Sequence, residues 1–251
     1  MILCLRKRTV IAAVALAVAV VAAFGCLFGD DFAVVYANAS TREIPIYRVA
    51  REDKKIALTF DAAWGADKTR SILEVLDRFG VKGTFFLVGF WVDEYPEEVK
   101  AIAESGCEIG NHSENHLEMS KLSADEIAKE LTSVNDKIFE LTGQKPKYFR
   151  PPFGDYDNDV VLGARALGME AVQWDVDSLD WKGLSGTEIV QRVCPKVREG
   201  SIVLFHNNSD HILDALPEVL ARLINAGYEP VTLSELIYQG ETDANGELHA
   251  I

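Results

Sequence analysis

KIALTFDAAWG, residues 55–65, is the stretch from which the rest of the chain can be read. An apolar run of this length that stops at a carboxylate reads as a strand delivering Asp61 at its C-terminal end. It then supplies two methyl groups, Ala62 and Ala63, where a second polar residue would be expected, followed by Trp64 and Gly65. Similar short β-rich runs recur as GTFFLVG, CEIGNH, KYFRPP, EAVQWDV, SIVLFH and EPVTL. Amphipathic stretches separate them near residues 68–79, 96–104, 123–141, 159–167, 187–197 and 212–226. The longest places Ile127, Leu131, Val134 and Ile138 at spacings of three and four, and Ser123 with Glu126 forms a capping box at its start. Gly80, Gly143, Gly168, Gly200 and Gly227 stand where helices would stop.

Strand–helix alternation on this scale predicts an α/β fold with a parallel sheet, either an open doubly wound sheet or a closed barrel. No Gly-x-Gly-x-x-Gly follows the first strand, so a dinucleotide fold lacks its signature. The expected organisation is a targeting segment over 1–39, a polar linker over 40–54, one catalytic domain over 55–240 and a polar, frayed tail over 241–251.

The targeting segment rests on Arg6, Lys7 and Arg8 ahead of an apolar stretch that runs from Val10 to about Phe28. Ala37-Asn38-Ala39 offers a small-x-small cleavage site; uncleaved, the stretch approaches the length that spans a bilayer and would anchor the protein to the membrane. Either way the domain is expected outside the cytoplasm, secreted or anchored. The net charge of −14 argues against nucleic acid as a partner, since neutralising phosphates needs a basic patch. Cys107 and Cys194 lack metal-ligand spacing and read as two free thiols, a single disulfide being the alternative in an oxidising compartment.

In both candidate architectures the site forms at the C-terminal ends of the strands. There stand Asp61, then His112 and His116 of HSENH, Arg150 of FRPPFG, Asp177 and Asp180 of DSLDW, and His206 of VLFH. Three of the chain's five histidines fall on this one rim. Two histidines at i, i+4 share a face if the segment is a helical turn, and can then bind one metal. Pro151 and Pro152 carry no N–H, so Phe153 N–H is the first free donor after Arg150 and could point at a developing oxyanion. Arg150 could instead clamp Asp61 and keep it ionised, or belong to a rigid surface turn. A carboxylate on His206 would favour its protonated form and suit it to be a general acid. Asp177 could simply cap a loop, and Trp181 is either core or a wall of the substrate pocket.

The ordered set TFD, HSENH, RPPFG, DSLDW and VLFH resembles the polysaccharide deacetylases of carbohydrate esterase family 4, the NodB-homology domain, over about residues 56–236. TFDAAWG combined with LFHNN looks most like the PdaB-type sporulation branch. The resemblance implies a distorted (β/α) barrel of about seven strands. It also implies removal of N-acetyl groups from peptidoglycan or chitin-type sugars with a divalent metal, usually zinc. Carried over by position, Asp61 is the catalytic base, His112 and His116 are metal ligands, and Arg150 holds the base. Asp180 tunes the acid His206, and Trp181 and Leu204 form the pocket for the acetyl methyl. The family usually reads Thr-Phe-Asp-Asp-Gly at the opening stretch, with the second Asp a metal ligand, whereas here position 62 is alanine. Expectations therefore divide between a deacetylase with a reduced metal site, in which water, substrate or a nearby carboxylate such as Asp67 takes the open position, and a pseudoenzyme that binds cell-wall glycan without cleaving it. A metal hydrolase of another class is a third reading; it lacks a phosphate-cradling Gly-rich loop or a His-Glu-x-x-His.

Overall fold

In the computed structural model, which describes residues 42–250, the opening stretch is a strand at the middle of a parallel sheet. After a short β1 (Arg48–Val49), β2 (Lys55–Ala62) is flanked by β3 (Thr84–Leu87) and β8 (Ile202–His206). Beyond β3 lie β4 (Glu108–Asn111), β5 (Tyr148–Phe149) and β6 (Glu170–Ala171), and beyond β8 lies β7 (Val176–Asp177). The order β6-β5-β4-β3-β2-β8-β7, all parallel, is the circular order of a (β/α) barrel, open between β6 and β7. The run EPVTL contributes only β9 (Glu229–Val231), which pairs with Lys55–Ala57 at the start of β2.

The opening has a sequence cause. EAVQWDV, expected as one strand, forms two: β6 and β7 occupy its ends, and no helix separates them to carry the chain around the barrel wall. The entry segment fills part of the gap. Ile46 bridges to Val172, and Val49 N–H donates to Gly200 O at 3.0 Å. The tail, expected to fray, instead forms an antiparallel hairpin of β10 (Gly240–Thr242) and β11 (Glu247–Ala250), with β11 parallel to β1. Val49 and Leu248 are both buried there, so entry segment and tail close over apolar surface together.

Helices follow the periodicity closely: Thr69–Arg78, Pro96–Glu104, Ala124–Thr142, Asn158–Ala166, Gly186–Val193 and Ile212–Asn225. The Ser123–Glu126 capping box forms as read. The short helices Gly89–Glu94 and Leu233–Leu236 carry too few turns to leave a periodic signal. Cys107 and Cys194 are free, the first buried and the second half-buried. The signal or anchor reading falls outside the described residues; among those, no helix is long and apolar enough to cross a membrane.

The pleat of β2 sorts its side chains. Ile56, Leu58, Phe60 and Ala62 join the apolar cluster that includes Ile72, Leu76, Val99, Leu216 and Leu220 of the helices. Phe60 stacks between Phe85 and Phe205, at centroid distances of 4.8 and 5.8 Å. Ala57 belongs to a second cluster with Phe86 and Ile202 on the inner face, and Asp61 falls on that face by the same parity. Registers Thr59↔Leu204 and Asp61↔His206 then carry Leu204 and His206 to the same side as Asp61.

Candidate active site

The C-terminal ends of β2, β4, β5 and β8 surround a cavity of about 660 Å³. Asp61, His112, His116, Phe153, Asp180, Trp181, Leu204 and His206 all line it. Arg150 does not; it is fully buried and meets the rim through its guanidinium on Asp61 and its backbone carbonyl on His112.

Asp61 is 6% exposed, and its Oδ1 accepts from Arg150 Nη1 at 2.7 Å. The guanidinium also donates from Nη2 to Gln173 O at 3.0 Å and lies 4.2 Å from the centroid of the Phe86 ring. Of the two roles open to Arg150, the structure shows the clamp. Burial would raise the Asp61 carboxyl, but the Arg150 charge, helped by His112 and His206, holds it below the usual carboxylate range. Its other oxygen, Oδ2, is 3.5 Å from His112 Nε2.

HSENH is not a helical turn. Ser113 and His116 have φ of 65° and 54°, left-handed values that no α-helix contains. The loop is held by its own polar groups: Asn111 Oδ1 accepts from Ser113 N–H, Ser113 Oγ from His116 N–H, and the Glu130 carboxylate grips both N–H groups of Asn115. The two imidazoles nevertheless meet, edge to face, with centroids 5.0 Å apart. His112 Nδ1 lies 2.7 Å from Arg150 O, so the ring carries its proton there and leaves the Nε2 lone pair free. Burial lowers the basicity of His112, and burial together with His112 pushes His116 down to about 4. Both rings are therefore neutral near pH 7, the form a metal requires.

The opposite wall holds His206. Asp180, 1% exposed, accepts from its ring Nδ1 at 2.7 Å and from its backbone N–H at 2.9 Å. Burial works against a proton on this imidazole; the Asp180 hydrogen bond and charge outweigh it and raise the affinity above the usual value. Asp177 Oδ1 accepts from Leu179 N–H at 2.8 Å, the loop-capping role weighed for it. Leu179, at φ 51°, and Phe153, at φ 60°, complete the set of four left-handed non-glycine residues among the described residues, all at or beside this rim.

Two donors suited to a divalent ion are thus presented, but a third is not. Ala62 is fully buried in the helix-facing cluster, and it is Ala63 that lines the cavity. Asp67 is exposed and does not line it, so it does not supply the missing ligand. Among the described residues, the one place where three His, Cys, Asp or Glu ligand atoms lie within 4.8 Å of one another is Asp243, Glu247 and His249 on the tail hairpin. There Asp243 caps its own turn and Glu247 pairs with Arg48. The rim residues fit a two-imidazole site, with its remaining positions open to water or substrate.

Sequence reasoning left several lining residues unassigned. Trp64 borders the cavity while 64% exposed. Asn207 donates from Nδ2 to Gly65 O at 2.9 Å and so ties the loop after β8 to the loop after β2. Ser209 and Asp210 extend that wall. The signal available for Trp64 was an indole placed directly after a strand end, where a surface residue is ordinarily polar.

Residues 48–172 match the family model described as Polysaccharide deacetylase. The chain is 35% identical over 193 residues to the uncharacterized protein YlxY of Bacillus subtilis (strain 168), covering 77% of this chain and 60% of that one. It is 34% identical over 197 residues to peptidoglycan-N-acetylglucosamine deacetylase PgdA of Listeria monocytogenes, covering 78% and 42% respectively. It therefore spans less than two thirds of the length of either curated relative. Its fold matches the crystal structure of wild-type BA3943, a CE4 family pseudoenzyme from Bacillus anthracis, at a TM-score of 0.75 and 37% identity over 82% of this chain and 73% of that one. A BA3943 mutant with restored enzymatic activity matches at 40% identity and a TM-score of 0.74, over 76% and 70%.

Proposed function

The chain belongs to the polysaccharide deacetylase family, and from that premise we propose that it hydrolyses N-acetyl groups of a cell-wall amino-sugar polymer outside the cytoplasm, releasing acetate. One observation carries the reading: two charge-assisted pairs, Arg150–Asp61 and Asp180–His206, deliver an ionised carboxylate and a protonated imidazole to neighbouring strands of one cavity. That is the base and acid an amide hydrolysis needs, with opposite protonation at the same pH.

Asp61 takes the proton of an attacking water through Oδ2, since Oδ1 is committed to Arg150. The new C–O bond forms as the carbonyl becomes an oxyanion, which Phe153 N–H steadies. His206, held through Nδ1, gives a proton from Nε2 to the departing amine as the C–N bond breaks. Leu204 and Trp181 wall the space for the acetyl methyl. His112 and His116 would hold a divalent cation, zinc suiting two imidazoles. Bound there, it would polarise the acetamide oxygen and acidify water. The sporulation branch is a finer assignment that rests on TFDAAWG and LFHNN alone.

A second reading, glycan binding without hydrolysis, is favoured by the buried Ala62 methyl and by the likeness to the BA3943 pseudoenzyme. Acetate release from N-acetylated glycan fragments by the full chain, with added zinc and with chelator, separates the two. Zinc-dependent release is expected. Absence of acetate under both conditions refutes hydrolysis and leaves the binding reading.

A further inference from the structure

The helix Ala124–Thr142 buries Ile127, Leu131, Val134 and Ile138 along one face, and a carboxylate stands among them. Glu130 lies three residues after Ile127 and four before Val134, and it is 8% exposed. A charge in that position costs desolvation free energy that an apolar residue would not. It faces the loop that carries the two rim histidines. Glu130 Oε2 accepts from Asn115 N–H at 2.8 Å, and Oε1 accepts from Asn115 Nδ2 at 2.7 Å. Both oxygens meet one residue, the one directly before His116.

Neighbouring turns of the same helix hold the rest of the loop. Asn111 Nδ2 donates to Leu131 O at 2.8 Å and to Asn135 Oδ1 at 2.9 Å, and Asn111 Oδ1 accepts from Ser113 N–H at 2.8 Å. Lys137 Nζ donates to Glu114 and to Asp93. Asn111, Glu114 and Asn115 are thus tied to one rigid element. The two imidazoles depend on these ties unequally. His112 is anchored through its ring, Nδ1 to Arg150 O at 2.7 Å. His116 stands on left-handed backbone at φ 54°, a sparsely populated conformation that persists only where its surroundings impose it, so the direction of its ring follows the turn.

The clamp is specific to a carboxylate. Asn115 presents two donors, its N–H and its side-chain amide, and a group with two acceptor oxygens satisfies both. An amide in place of the carboxylate would set one donor against another.

We propose that Glu130 is a positioning residue: its carboxylate clamps Asn115 so that His116 converges with His112 on one divalent cation. This deepens the deacetylase reading and rests on it for the ligand pair. With Ala62 in the apolar layer, two imidazoles carry the site, and the direction of each counts for more than it would beside a third protein ligand.

The test is calorimetric titration of the full chain with zinc near pH 7, beside thermal unfolding of the metal-free protein and acetate release in the same samples. His116→Ala removes one ligand and is expected to abolish the rim isotherm; zinc it still binds is held elsewhere, as at the tail hairpin. Glu130→Gln is expected to weaken rim binding by about tenfold or more. Adding Asn115→Asp reverses the polarity of the side-chain bond: the Gln oxygen keeps the backbone N–H at position 115, and the Gln amide donates to the new carboxylate. The double variant is expected to recover most of the loss. A role confined to holding the fold together would lower the unfolding temperature and leave the zinc Kd of the folded chain unchanged; that result overturns the proposal, as does a double variant no tighter than Glu130→Gln. If Glu130→Gln fails to fold, Asn115→Ala, which loses one of the two hydrogen bonds, takes its place, with a smaller loss expected and an unchanged Kd again overturning. Wild type that binds no zinc at the rim overturns the ligand pair and the proposal together. Zinc binding that depends on Glu130, without acetate from wild type, upholds the positioning role and overturns hydrolysis.

Discussion

Replacing Asp180 by Asn tests the acid assignment with little change of shape. Asn keeps a carbonyl oxygen for the His206 N–H that Asp180 now accepts at 2.9 Å, so the loop stays anchored. What is lost is the negative charge 2.7 Å from Nδ1. In the native site burial disfavours the imidazolium, while the Asp180 hydrogen bond and charge, with Asp61 and Asp177, more than compensate. An opposite charge in contact is worth about 1–3 pH units. The His206 side chain is 31% exposed, and solvent screening makes the fall smaller than for a fully buried pair. At pH 7 the protonated fraction should then fall, by at most about tenfold for each pH unit the titration moves, and the turnover number with it. The assay is paired: NMR titration of the His206 ring, and the pH profile of acetate release, whose alkaline limb should move to lower pH. A raised folded value also means that the pair stabilises the fold fully below the unfolded value of about 6.5 and ceases to do so as pH rises through the folded value. Asp180→Asn should therefore cost more stability in mild acid than in mild alkali. A His206 titration unchanged by the substitution would refute the argument, because among the described residues Asp180 is the group that holds Nδ1.

Arg150→Ala leaves the Asp61 carboxylate buried without its cation, and should cost about 3–5 kcal/mol in urea unfolding at neutral pH. Asp61 is held below its ordinary value, so the pair's contribution is present above about pH 4 and is lost as pH falls through the folded value; the difference from wild type should shrink in acid, and a constant difference would count against the pairing. Gly200→Ala places a Cβ against Val49 O at φ 75°, where entry segment and barrel meet, and should lower the denaturation midpoint by the equivalent of about 1–2 kcal/mol or more; an unchanged midpoint would show that the entry segment does not hold the barrel edge.

The parts of the fold legible in the sequence were those fixed by local pattern. KIALTFD, SIVLFH and the long helix from Ala124 announce themselves because burial periodicity and capping act within a few residues. The split of EAVQWDV was not legible, since its interior residues are held by groups distant in sequence: Ile46 pairs with Val172, Arg150 donates to Gln173 O, and Asp175 accepts from Ser201 and Ile202. The tail misled for the same reason: GELHAI looks polar until Leu248 finds Val49. At the site, residue identity was legible and conformation was not. His112 and His116 do converge, but through left-handed loop residues held by Asn111, Ser113 and Glu130 rather than by helical spacing.

The two alanines after Asp61 then have a structural account. Parity along β2 sends Asp61 to the inner face beside His206 and sends Ala62 into the layer with Phe60, where a small apolar side chain is accommodated without exposed surface. Yet the rest of the rim keeps arrangements that packing alone does not favour. Arg150 is fully buried with its Nε lacking a hydrogen-bond partner, Asp180 is 1% exposed, and four non-glycine residues hold left-handed backbone. A buried ion pair is commonly no more stable than apolar residues of the same shape, and strained backbone costs about 1–3 kcal/mol per residue. A platform that only bound glycan would need Trp64, Phe153 and Trp181, but not a buried guanidinium behind Asp61 or a buried carboxylate behind His206. Those two costs fall on the groups that set the protonation of Asp61 and His206, and they weigh toward hydrolysis even with position 62 given over to packing.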